Sequence, residues 1–303
     1  MTMKMNSLSR THQLVLGALM GAINVIFALI SSYLFAFSLI IMLFLPLASI
    51  IVAINIDLKF YPVYLLGTLT LALVLNLGNI DNTLFFLLPI LTRGLAFGLL
   101  IRHKVPDILI LLIVSGVNFL TLLITIPIIN LIYDVNFLQV FASFIGFNNI
   151  EFGELVLPSI LTLLAVMQTL ITLVIVTQDA AYFRLEINTE EWPYISLVNL
   201  GFSAIVTVLM FFNHGISLAL LFVVILLSLY QIVHLFQKHT IFAWSTLLAT
   251  IVFIIIGLAL FENYTSLPYY FGIIIAVIPV VISDILWLYI SRKKSEAKNE
   301  GTI

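Results

Sequence analysis
The sequence predicts an all-α fold: a polytopic transmembrane helical bundle of about ten spans, with the N- and C-termini cytoplasmic. Three observations lead there. First, 63% of the 303 residues are hydrophobic and 9% are charged, against roughly 45–50% apolar and about a quarter charged in an ordinary soluble domain. A water-soluble fold has nowhere to hide that excess. Second, the apolar residues form continuous runs, such as LLFVVILLSLY and IVFIIIGLAL. Their lengths suit about 30 Å of hydrocarbon at about 1.5 Å per helical residue, whereas a closed β-barrel shows short alternating segments. Third, the basic residues fall on one side of the map that these runs define.

In chain order, the first run, 13–32, follows a charged start, MTMKMNSLSRTHQ. That start resembles a signal peptide, but the run is too long, lacks an A-x-A pattern and leads into further spans, so it reads as a retained helix. The second, 38–56, contains Pro46 and ends at the charged turn of Asp57 and Lys59. An outer turn carrying Asp81 separates the third, 61–78, from the fourth, 84–101, which closes at Arg102 and Lys104. The fifth, 107–132, and sixth, 155–177, flank an outer loop, 133–154. There Phe137, Phe141 and Phe144 share one helical face, which suits either an amphipathic helix on the membrane surface or a lid over an outward-facing pocket. After the charged segment QDAAYFRLEINTEEWP come 194–212, 216–236, 241–261 and 269–291. The predicted organisation is therefore a six-helix membrane domain (1–177), a cytoplasmic loop (178–193), a four-helix membrane region (194–291) and a cytoplasmic tail (292–303).

Cytoplasmic loops retain Lys and Arg, and acidic residues count for little. With the N-terminus inside, all of the 12 Lys and Arg except Arg93 fall at the inner surface. The outer loops receive Asp81, Asp134, Glu151, Glu154 and Glu262 instead. Losing or merging one span would invert every later loop and destroy this pattern.

Arg93 in the fourth span and Asp284 in the tenth are the ionisable residues well inside the spans, where a charge is expensive unless paired or solvated. Arg93 precedes Arg102 by nine residues and Asp284 precedes Arg292 by eight, so both lie roughly 12–14 Å from the inner end. Matching depths predict an intramembrane ion pair, direct or through water; the alternative is that each snorkels separately to the cytoplasm. Gly17, Ala18, Gly21 and Ala22 form two overlapping small-x-x-x-small patterns, a surface for close packing of a helix of this chain or of a separate subunit. Gly94 and Gly98 repeat the spacing. Among the polar residues of the spans, Asn24, Asn76, Asn118, Asn130, Gln168 and Asn199 suit hydrogen bonds between helices. Asn76, Asn118 and Asn130 are the candidates to line a substrate cavity.

The same inventory excludes functions. A net charge of -2 without a dense basic face argues against nucleic acid. No cysteine is present, so disulfides and thiolate chemistry are ruled out. The phosphate loop G-x-x-x-x-G-K-[ST], H-E-x-x-H and G-x-S-x-G are all absent, so neither ATP hydrolysis through that loop nor a familiar hydrolase site is expected. The chain reads as a non-enzyme with no catalytic residue, metal site or cofactor, and with the lipid bilayer as its first partner.

The first six spans resemble the substrate-binding S components of energy-coupling-factor transporters. The resemblance rests on LGALMGA at 16–22, on Leu45-Pro46 running to Asp57 and Lys59, and on the P-x-x-x-R-G-x-x-x-G of Pro89, Arg93, Gly94 and Gly98. Over nearly its whole length the chain is similar to the YybS-like family of uncharacterised bacterial membrane proteins, through His214-Gly215-x-Ser217 and the closing Asp284, Trp287, Arg292 and Lys293. The S-component resemblance implies that Ala18 and Ala22 dock a separate membrane coupling subunit and that the 133–154 loop caps an outward-opening pocket. It implies a bacterial plasma-membrane component that binds an unknown small molecule and lacks its own ATPase. The alternative is a non-transporting interaction or scaffold protein for cell-envelope or signalling machinery.

Overall fold
The computed structural model describes residues 9–33, 46–134, 150–178, 194–238, 240–263 and 274–300. Among these residues the regular structure is helical throughout. The helices are α1 (Arg10–Tyr33), α2 (Pro46–Asn55), α3 (Tyr61–Leu75), α4 (Ile80–Arg102), α5 (Asp107–Tyr133), α6 (Ile150–Gln178), α7 (Ile195–Leu209), α8 (His214–Lys238), α9 (Thr240–Asn263) and α10 (Val277–Glu300). Each of the ten apolar runs thus holds one helix. Seven are long and apolar enough to cross a membrane; Pro46–Asn55, Ile195–Leu209 and Ile274–Trp287 are shorter apolar helices. Phe137, Phe141 and Phe144 of the outer loop, and nearly all of the inner 178–193 loop, lie outside the described residues.

One boundary differs in an instructive way. The tenth apolar run ends at 291, yet α10 continues through the basic cluster to Glu300. Apolarity ends where the membrane would end, but a helix goes on while its residues favour it, and Lys, Arg, Glu and Ala all do.

Burial is inverted relative to a water-soluble protein. Leu131, Phe212 and Ile241 are 86%, 83% and 78% exposed, whereas Arg93, Asn24, Asn118 and Asn199 are fully buried. Exposed apolar side chains line most helices. In water such a surface would aggregate; against lipid tails it costs nothing, and the polar groups are hidden because hydrocarbon offers them no hydrogen bonds. The protein is a helical membrane protein.

The chain divides into two compact units, Met1–Ile150 with Leu164–Glu191, and Glu151–Leu163 with Trp192–Ile303. In the first, Val25 and Ala28 of α1, Val52 and Ala53 of α2, Tyr61 and Tyr64 of α3, and Leu87 and Leu91 of α4 share one apolar cluster. Lipid is as apolar as leucine, so helices in a membrane are held by close packing and polar contacts more than by burial. Both devices are present. A Cβ added to Gly94 would stand 2.2 Å from Ser49 Cβ, and one added to Gly98 would stand 2.3 Å from Ala53 Cβ. Two small residues four apart on α4 therefore face two small residues four apart on α2. In the second unit, Val206 of α7, Leu221 and Val224 of α8, and Val277 and Val281 of α10 form the core.

Candidate functional site
The small-residue stripe of α1 splits into two faces. Gly17 and Gly21 are buried while Ala18 and Ala22 are exposed. Gly21 is pressed on α3, since an added Cβ would meet Thr68 Oγ1 at 2.7 Å; at Gly17 a Cβ would meet nothing within 4 Å. These residues, with Gln13, Phe60, Tyr64, Gly67 and Thr68, line an open groove of about 440 Å³ along α1 and α3. Its wall is kept in place by polar contacts. Gln13 Oε1 accepts the Asp57 backbone N–H at 3.0 Å. Asn24 Nδ2 donates to Tyr64 Oη at 2.7 Å and to Ser49 Oγ at 3.0 Å, and the two hydroxyls are 3.0 Å apart. Tyr61 Oη donates to the Leu91 carbonyl at 2.7 Å. Asn24 was legible as a polar residue in an apolar span. Ser49, Tyr61 and Tyr64 were not, because single hydroxyls in apolar helices usually return to their own backbone and carry no pattern.

Deeper in the first unit lies Arg93, the largest fully buried side chain among the described residues. Its Nη1 donates to Gln168 Oε1 at 2.8 Å. Asn118 Nδ2 donates to the same oxygen at 2.9 Å, so one amide oxygen of α6 gathers donors from α4 and α5. The Thr92 and Thr121 hydroxyls, 3.1 Å apart, join α4 to α5 one turn away. A hydrogen bond to a charged group contributes about 1.5–3 kcal/mol, which makes Gln168 a principal support of the guanidinium.

In the second unit Asp284 is 1% exposed. Its Oδ2 accepts a short hydrogen bond from Ser196 Oγ and another from Gln231 Nε2 at 2.9 Å. Gln168 is thus a neutral partner of Arg93 in the first unit, and Ser196 and Gln231 are neutral partners of Asp284 in the second. Gln168, Ser196 and Gln231 are partners that depth-matching along the sequence does not reveal.

The three asparagines proposed for a cavity belong to different places. Asn76 ends α3, where its Nδ2 donates to Ser32 Oγ at 2.7 Å and Thr83 Oγ1 at 2.8 Å. It ties the end of α1 to the start of α4. Asn118 belongs to the Arg93 cluster, and Asn130 is half-buried near the end of α5. None of the three lines the groove. Among the described residues no group of three His, Asp or Glu is placed to hold a metal ion. Lys59 and Asp57 pair at 3.4 Å at the surface, where water and salt leave such a pair worth little. Comparison with protein-family models, with curated proteins and with solved structures finds no match to this chain.

Proposed function
We propose that this chain is a bacterial plasma-membrane component that binds a small molecule and docks a separate membrane coupling subunit along α1 and α3. The reading follows the resemblance of its first six spans to S components of energy-coupling-factor transporters. In it the termini are cytoplasmic and energy comes from partner subunits. The observation that supports it best is the groove: Ala18 and Ala22 stand exposed beside Gly17, whose missing side chain leaves open space. Small residues let a foreign helix approach to backbone contact, the main source of affinity between helices in lipid.

Purification of the full chain in mild detergent, with its co-purifying proteins identified, tests this. Recovery of a membrane coupling subunit and its ATPases is the expected result. Replacing Ala18 or Ala22 by Trp should abolish that recovery with little change in folded yield, because both positions face outward. Recovery of envelope or signalling proteins alone would overturn the transport reading in favour of a scaffold.

A further inference from the structure
We propose that Asp284, Ser196, Asn199 and Gln231 form a binding site for one small monovalent cation, sodium. The proposal concerns the second unit only and is independent of the docking groove. Three helices build the site. Ser196 and Asn199 are three apart on α7, Ser228 and Gln231 three apart on α8, so each pair shares a helix face, and Asp284 comes from α10. Asp284 Oδ2 is met by Ser196 Oγ and by Gln231 Nε2, Gln231 Nε2 also reaches Ser196 Oγ at 3.1 Å, and Asn199 Nδ2 donates to Gln231 Oε1 at 2.6 Å and Ser228 Oγ at 3.0 Å.

Two features of this network call for a cation. The partners that the structure gives Asp284 are neutral, and a buried carboxylate in a membrane helix is costly unless a positive charge or water meets it. Independently, Asn199 is fully buried and its Oδ1 has no hydrogen-bond partner among the described residues, although a buried acceptor left unmade costs about 1–3 kcal/mol. One cation answers both. The available donors are carboxylate, amide and hydroxyl oxygens, which suit hard ions. One carboxylate balances a single positive charge, and among the described residues no group of three His, Asp or Glu is placed to favour a divalent ion. A half-turn of the Asn199 or Gln231 amide exchanges nitrogen for oxygen at nearly the same positions. Ligand oxygens can therefore be presented without moving a helix.

The test is thermal unfolding of the purified full chain in detergent, in sodium chloride and in choline chloride of equal ionic strength. Binding to the folded state raises the midpoint as the ion concentration rises, so the midpoint should climb with sodium and not with choline. Asp284→Asn should abolish the sodium response, and Asn199→Ala should raise the half-saturating sodium concentration about tenfold. Equal midpoints in the two salts would overturn the proposal, as would a sodium response that survives in Asp284→Asn. Should that variant fail to fold, radioactive sodium binding to the unaltered protein decides: one saturable ion per chain supports the site, and none above background refutes it.

Discussion

At Gly94 and Gly98 the absence of a side chain is itself the interaction. Ser49 and Ala53 occupy the space a Cβ would need, and α2 cannot retreat without opening the cluster around Val52 and Leu87. Gly94→Ala should therefore destabilise the protein by about 1–3 kcal/mol through overpacking. Gly17→Ala, which meets open space, should leave the midpoint of thermal unfolding in detergent nearly unchanged. The pair is a useful contrast because both are helical glycines in small-x-x-x-small patterns, indistinguishable by sequence. Arg93 offers a second contrast. Its bond to Gln168 predicts a coupling energy of about 1 kcal/mol or more in a double-mutant cycle between the two positions. The same cycle on Arg93 and Asp284 reads the contact inferred from their matched depths; additive losses there would dismiss it.

Between α4 and α5 the chain reverses in a few residues, and its backbone bonds explain how. The Lys104 N–H bonds the Ile101 carbonyl at 2.9 Å and the Val105 N–H bonds the Leu100 carbonyl at 3.1 Å, the pair of bonds that defines a Schellman ending. Lys104 takes the left-handed conformation, with φ 52°, and Pro106, which has no backbone N–H to continue α4, stands as the N-cap of α5. Glycine is the usual residue there because a Cβ in that conformation costs roughly 1–2 kcal/mol. Lys104→Gly should thus stabilise the protein by about 0.5–1 kcal/mol, the unfolded chain's greater freedom offsetting part of the gain. Thermal unfolding measures it, and Arg102 keeps a basic residue at that turn. The end of α4 was visible in the sequence from Arg102 and Lys104. That Lys104 carries the strained backbone was not, because lysine has no preference for it. Asn76 shows the same limit: its polarity marked it, but its role depends on Ser32 and Thr83, which lie 44 residues before it and 7 after it.

For the whole molecule, the orientation rests on the distribution of Lys and Arg. The chain has no cysteine, so single cysteines can be introduced without a background to remove. With the N-terminus inside, a cysteine at Glu151 should react with an impermeant maleimide in intact cells, and one at Arg184 only after permeabilisation; the reverse result inverts the map. The sequence by itself determined that the protein is helical, that it belongs in a membrane, and where the ten helices found among the described residues lie. Those properties follow from apolar run length and the cost of bare backbone in hydrocarbon, which are local and additive along the chain. What the tertiary structure decided is which polar residues meet: that Arg93 and Asn118 share one oxygen of Gln168, that Asp284 lies with Ser196 and Gln231, and that Gly17 opens on a groove while Gly94 is filled. These hydrogen-bonded pairings join residues from 50 to 88 positions apart. Helix packing selects them from many equally apolar alternatives, and no periodicity within one span records the choice.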